Sequence, residues 1–254
     1  VSVAILIPAR LESTRLARKL LLDATGKPLL AHTAERALEA RRASNGLVTR
    51  VVVCADCEAL AEAARAAGAE AVLTRPGHAS GTDRIAEVAA GLEEDVLVDL
   101  QADEPEIDPA HVLACARLLI EDADAQMATL ATPIASREEF LDPAAVKVVR
   151  SDSGDALRFS RAPIPPPRDG CDPCDVPAGA LRHLGIYAYR REALLAFASM
   201  PRAALEEAEK LEQLRALAAG WRIRVAVVDA APPGIDTEED YRAFVARRRA
   251  AEGG

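Results

Sequence analysis

The sequence predicts a three-layer α/β sandwich: a mostly parallel sheet with helices on both faces and a smaller inserted β lobe. Three observations predict it. Short apolar runs alternate with helical stretches from residue 3 to residue 132, the rhythm of parallel strands joined by crossover helices. The first run, Val3 to Ile7, is apolar at every position, as a strand covered on both faces must be. The chain of 254 residues is 50% hydrophobic but only 3% aromatic, so Ala, Leu, Val and Ile must fill a sizeable interior.

After Val3–Ile7, the turn Thr25-Gly26-Lys27 and Pro28 open a helix that runs to about Arg41. Val51–Val53 is a second strand. Asp56 reads as the N-cap of an Ala-rich helix that Gly68 stops. Ala71–Leu73 is a third strand, followed by the loop Thr74–Gly81 and a helix from Thr82 to Ala90, ended by Gly91. Val96–Leu100 is the fourth strand, and Asp108-Pro109 caps a helix reaching Ile120.

After Met127–Thr132 the rhythm changes. Val146–Arg150 and Ala156–Phe159 flank Ser151-Asp152-Ser153-Gly154-Asp155, a hairpin signature. Arg161–Gly179 is rich in Pro and Gly without periodicity and reads as a long loop or flap. Leu184–Tyr189 is strand-like, Ala203–Ala218 one long charged helix, and Arg222–Val228 a strand. Asp236-Thr237-Glu238-Glu239 caps the final helix. The chain is therefore expected to be one α/β domain: a first half (1–132), a lobe (133–230) and a returning segment (231–254).

Composition removes several function classes. A net charge of −9 repels polyanions and the chain has no long basic tract, so nucleic-acid binding is not expected. No apolar run approaches the roughly 20 residues of a membrane span. Residues 1–10 lack a basic signal-peptide start, so a cytoplasmic protein is expected. Four of the five cysteines form C-x-x-C pairs, Cys54/Cys57 and Cys171/Cys174. Such pairs can build a zinc or redox site, but these lie over a hundred residues apart, and ordinary reduced thiols are the expectation.

Parallel sheets bind ligands beyond the carboxyl ends of their strands, which selects three segments. The loop after the first strand carries Arg10, Ser13, Arg15, Arg18 and Lys19 against Glu12 alone, without the glycines of a P-loop or dinucleotide fingerprint. It can grip phosphates by fork and point charge, or be a solvated loop. Gln101-Ala102-Asp103-Glu104-Pro105 follows the fourth strand; its carboxylates suit Mg²⁺, and equally suit a turn. Asp236, in Gly234-Ile235-Asp236-Thr237, is a second metal ligand or a helix cap.

Taken in order, Ile7-Pro-Ala-Arg-x-x-Ser-Thr-Arg-Leu-x-x-Lys19, Ser80-Gly81-Thr82-Asp83-Arg84, Gln101–Pro105, Phe159-Ser160-Arg161, His183-Leu184-Gly185-Ile186-Tyr187, Leu211-Glu212-Gln213-Leu214-Arg215 and Gly234–Thr237 span nearly the whole chain. This ordered set resembles the 3-deoxy-manno-octulosonate (Kdo) cytidylyltransferase family. The resemblance implies a Rossmann-like nucleotide-diphospho-sugar transferase fold, a homodimer, and the reaction of CTP with Kdo to CMP-Kdo and pyrophosphate with Mg²⁺, for lipopolysaccharide synthesis. It assigns Arg10, Ser13, Arg15 and Lys19 to the triphosphate, and Ser80, Gln101 and Arg75 to the cytidine side. Asp103 and Asp236 fall to the metal, with Lys19, Arg10 and both aspartates as the catalytic set. Gln101, Arg161, His183, Tyr187, Glu212 and Gln213 fall to the sugar.

Two positions depart from that pattern. Ala17 stands where the family usually has proline and Ala102 where it usually has glycine, which bears on nucleotide affinity and choice. On residues alone, His183 fits a structural histidine, Tyr187 and Tyr189 a shared strand face, and Glu209 and Glu212 a solvated helix face. The competing functions are the same transfer to another acidic sugar, such as an 8-amino Kdo analogue or a sialic-type acid, and a nucleotide-binding protein without turnover.

Overall fold

The computed structural model describes residues 1–13, 15–166, 175–230, 232 and 234–252. They form a mixed α/β fold with a mostly parallel central sheet, as the alternating runs require. The chain divides into two compact units, residues 1–113 with 232–254, and residues 114–231.

The first unit holds four parallel strands, β1 (Val3–Ala9), β2 (Val48–Ala55), β3 (Glu70–Leu73) and β4 (Val96–Asp99), in the order β3-β2-β1-β4. Ile5 sits opposite Val51 on one side and Val98 on the other, and β1 is fully buried through Ile7. Helices α1 (Leu29–Ala43), α2 (Glu58–Ala66) and α3 (Gly81–Ala89) make the crossovers, and the division between units falls within α4 (Pro109–Glu121). Because β1 and β4 are adjacent and parallel, the loop after Ala9 and the turn after Asp99 leave the sheet at one edge. The last helix, α9 (Glu238–Glu252), returns here: Ile235, Tyr241, Phe244 and Val245 pack on Leu29, with Leu16 and Leu22 of the first loop against them.

One expectation about this unit is corrected. Cys57, not Asp56, is the N-cap of α2, and the Asp56 carboxylate instead accepts the Leu11 backbone N–H at 3.0 and 3.1 Å. Tertiary demand from an unsatisfied loop amide outweighs local capping.

The second unit holds β5 (Met127–Pro133), β6 (Lys147–Arg150), β7 (Ala156–Ser160), β8 (Leu181–Arg190) and β9 (Ile223–Val227). β5 pairs antiparallel with β8 and parallel with β9, while β6 and β7 form the expected hairpin and β6 also pairs with β8. Helix α5 (Arg137–Leu141) follows a cap that strand reading overlooks: Ser136 Oγ accepts the Glu139 N–H at 3.1 Å. Helix α6 (Arg191–Ser199) abuts β8 without punctuation and buries Leu194 and Phe197.

The single helix expected over Ala203–Ala218 is two, α7 (Ala204–Glu209) and α8 (Gln213–Ala218). Lys210 adopts left-handed geometry (φ 53°) between them. The break lets Arg215 pair with the Glu206 carboxylate in the interior and lay its guanidinium 4.6 Å from the Phe197 ring. That buried pairing and a carbonyl-saturating Arg161 outweigh the continuous helical propensity.

Candidate active site

The first unit gathers its chemistry at the carboxyl edge of β1 and β4. Directly before the 3-10 turn Lys19–Leu21, Arg18 is held left-handed (φ 51°), which turns the chain so that the Lys19 side chain points inward. The Lys19 side chain is only 10% exposed. Its ammonium donates to Asp103 Oδ2 at 2.6 Å, to the Ile235 carbonyl at 2.6 Å and to Asp236 Oδ1 at 3.4 Å. Arg15 donates to the same Asp236 oxygen at 2.8 Å. Three distant stretches of chain thus meet at one cationic centre.

Backbone contacts hold that meeting point. The Ile235 N–H donates to Asp103 O at 2.9 Å, and Thr33 Oγ1 donates to Ala102 O at 2.9 Å. Gly234 permits the approach: a Cβ there would stand 3.0 Å from Glu104 Oε1 and 3.6 Å from Asp103 O. Ala102 has no positive φ, so its backbone does not call for glycine, and it lines the cleft. The cleft, about 320 Å³, is lined by Arg10, Ser13, Arg15, Lys19, Gln101, Asp103 and Asp236, with Glu12 and Leu20 beside them. Gln101 Nε2 donates to Asp99 Oδ1 at 3.2 Å.

Two residues assigned to the nucleotide stand outside this lining. Ser80 caps α3, its Oγ accepting the Asp83 N–H at 3.1 Å. Arg75 is largely exposed and pairs with Glu87 at 3.0 Å, whose carboxylate also accepts from His78 Nε2 at 2.6 Å. Pairing with Arg75 and then with His78 holds the Glu87 carboxyl below its ordinary range.

Sequence reasoning missed the brace beneath the loop. Asp56, which anchors Leu11, lies 3.7 Å from the guanidinium of Arg84, a buried residue that donates to Thr74 Oγ1 at 2.6 Å. Arg84 stands inside the Ser80–Arg84 motif, so its position was visible, but nothing local marks Asp56 as its partner.

Apart from Gln101, which lines the first unit's cleft, the residues assigned to the sugar belong to the second unit. His183 on β8 is half-buried, 5.1 Å edge-on to Phe159 and 5.2 Å from Tyr187, whose ring lies 6.0 Å from Tyr189. Burial, then the charge of Arg182, pushes its pKa down to about 3, so the ring is neutral at pH 7. Its Nε2 is 3.0 Å from Thr129 Oγ1, whose own proton goes to the Ile186 carbonyl at 2.7 Å. Nε2 is therefore the donor in that pair, leaving Nδ1 as an acceptor.

Arg161 spends its donors on main-chain carbonyls, Glu209 O at 2.7 Å and Pro143 O at 2.9 Å. Glu209 is not on a solvated face: its carboxylate accepts from Ser160 Oγ at 2.8 Å and the Arg161 N–H at 2.7 Å. Glu212 is the N-cap residue of α8, and the neighbouring Gln213 is buried with an unpartnered Nε2. Such an orphan donor costs about 1–3 kcal/mol until an acceptor arrives. Lys147, fully buried, donates to Asp142 O at 2.8 Å, and burial lowers its pKa.

Among the described residues, no group of three or more His, Cys, Asp or Glu side chains is placed to hold a metal. Cys54 is buried at the end of β2, where desolvation raises its pKa, and Cys57 caps α2. Cys171 and Cys174, with much of the expected flap, lie outside the described residues. No described helix is long and apolar enough to cross a membrane.

The cytidylyltransferase family model matches residues 4–223. A 3-deoxy-manno-octulosonate cytidylyltransferase of Rhodopirellula baltica is 49% identical, over 96% of this chain and 97% of its own length. One from Geobacter metallireducens is 45% identical over 94% of each. A solved CMP:2-keto-3-deoxy-manno-octonic acid synthetase complexed with CTP superposes with a TM-score of 0.90 at 40% identity, covering 99% of this chain and 100% of that one. A 4-diphosphocytidyl-2C-methyl-D-erythritol synthase of Anaerococcus prevotii, at 9% identity and a TM-score of 0.62 over 98% of each chain, shares the fold alone.

Proposed function

The chain belongs to the 3-deoxy-manno-octulosonate cytidylyltransferases, and on that premise we infer that it activates Kdo with CTP, releasing CMP-Kdo and pyrophosphate. In this reaction the anomeric hydroxyl of the sugar forms a bond to the α-phosphorus. The bond from that phosphorus to the β-phosphate oxygen breaks, pyrophosphate leaves, and the hydroxyl proton is lost.

The observation that carries the site assignment is the convergence of Lys19, Asp103 and Asp236 in a cleft that Arg10, Ser13, Arg15 and Gln101 also line. Both substrates are anions, so their repulsion has to be cancelled before they meet. Arg10 and Arg15, exposed at the cleft mouth, present forked donors to phosphate oxygens, and Lys19 adds a point charge. These cations act by electrostatic preorganisation as charge builds on the leaving pyrophosphate. Gln101 offers an amide to the base or the sugar.

A metal fits the same place. Two carboxylates and a main-chain carbonyl, all hard oxygen donors, already surround one cationic centre. Asp103 and Asp236 would hold Mg²⁺, which when bound orients the attacking hydroxyl against the phosphate and lowers its pKa.

On the sugar side, neutral His183 supplies an acceptor and Gln213 an unspent donor, suited to hydroxyls. Arg161 orders the junction of α7 and α8 that carries Glu212 and Gln213. A cytoplasmic homodimer is part of the same reading, and it rests on the family resemblance.

The test is pyrophosphate release with each of four nucleoside triphosphates against several keto-sugar acids. CTP with Kdo is the expected pair. Turnover with another acidic sugar and none with Kdo refutes the substrate, and CTP binding without turnover refutes the enzyme.

A further inference from the structure

We propose that Lys19 is the resident counter-ion of the aspartate pair: in the free enzyme its ammonium stands where a divalent cation enters with the nucleotide, and it is released to the phosphates by that exchange. The proposal rests on the functional reading above and adds the state of the site before substrate arrives.

An ammonium has three N–H donors. All three of Lys19 are spent, on Asp103, on the Ile235 carbonyl and on Asp236. A lysine so enclosed has nothing to offer a phosphate until it leaves the carboxylates. The aspartates have the converse need, because without a cation they are two neighbouring negative charges at a partly enclosed site. In the free enzyme Lys19 and Arg15 together balance Asp103 and Asp236, two positive charges against two negative.

One divalent ion supplies the same charge as those two monocations. Its arrival with an anionic nucleotide frees the two monocations to meet the phosphates, so no step leaves a charge unpaired. The chain is built for that swing. The aspartates are fixed by the main-chain contact from Ile235 N to Asp103 O, and the backbone of Lys19 by bonds from Lys19 N to Leu16 O at 3.2 Å and from Leu21 N to Arg18 O at 2.9 Å. The four-carbon lysine stem alone has to move.

Two consequences separate this from a purely structural salt bridge. A divalent ion has to evict an ammonium to bind the nucleotide-free protein, so its affinity there is held down by Lys19. Eviction also uncovers that ammonium.

Mn²⁺ titration followed by electron paramagnetic resonance, without nucleotide, tests the first. Lys19→Met and Lys19→Gln are expected to bind Mn²⁺ at least ~10-fold more tightly than the wild type, and Lys19→Arg no more tightly. Equal or weaker binding by both neutral variants overturns the proposal.

Reductive methylation of the wild-type protein tests the second and needs no variant to fold. Mg²⁺ alone is expected to raise modification of Lys19 relative to Lys27 several-fold, and an unchanged ratio overturns the proposal. The two readings fail separately. Turnover of CTP and Kdo by a protein whose metal affinity ignores residue 19 removes the exchange and leaves the reaction. Tightened Mn²⁺ binding in a protein that turns over no sugar removes the reaction and leaves the exchange.

Discussion

Lys19 and Asp236 show how one side chain takes its chemistry from partners that lie far off in sequence. Alone, the first is a loop lysine and the second a helix cap. Together, with Asp103, they form a cation-centred cluster. Lys19→Ala is expected to lower kcat by about 10²- to 10³-fold, the scale of removing one preorganised donor, with little change in KM for Kdo. Weak sugar binding at an intact rate would move Lys19 out of the triphosphate site. Asp236→Asn keeps shape and hydrogen bonding but loses a charge. It is expected to cost Mg²⁺-dependent rate by about 10²-fold, equivalent to roughly 3 kcal/mol, with an unchanged circular dichroism spectrum. Asp56→Ala removes the acceptor of Leu11 and strands the buried Arg84, for a loss of about 3 kcal/mol. Urea unfolding at constant m-value measures that loss, and a raised KM for CTP reports the loosened loop.

Elements place these side chains by where they stop. Strands β1 and β4 deliver their following loops to one edge because they are parallel neighbours, an arrangement legible in the apolar runs. Helix ends were less legible. The stretch Ala203–Ala218 has continuous helical composition, yet Lys210 breaks it at a left-handed residue so that Glu206 and Arg215 can pair inside. Lys210→Gly is expected to stabilise by about 1 kcal/mol, since glycine takes that backbone without strain and keeps the two-helix geometry. A destabilised variant in thermal unfolding would mean the lysine stem packs usefully there. Asp56 departs from its capping pattern for a related reason: a capping-type residue serves whichever amide lacks a partner, and only the folded chain says which one does.

At the scale of the molecule, each unit carries one acid-sensitive histidine. Burial holds His32 at a pKa of about 4, in contact with Phe244, and His183 at about 3. Both are neutral in the folded protein at pH 5, while the unfolded chain protonates them below about 6.5. Their contribution is therefore complete above pH 6.5 and falls as pH drops toward their folded values. Between pH 7 and pH 5 the loss is about 2 kcal/mol for each. Denaturant unfolding at the two pH values measures it, and His183→Gln is expected to halve the difference. Carboxylates such as Glu206, held below its ordinary range by Arg215, add to this only in more acid solution.

The α/β class, most strands and the reaction family are legible in the order of residues, because apolar periodicity and ordered motifs are local or additive signals. Folding in three dimensions is what commits Lys19 to Asp103 and Asp236, Asp56 to bracing the first loop, and Glu209 to anchoring Arg161. Each is a choice of partner among polar groups far apart in the chain. Electrostatic and hydrogen-bond energies depend on distance in space, which the order of residues does not encode.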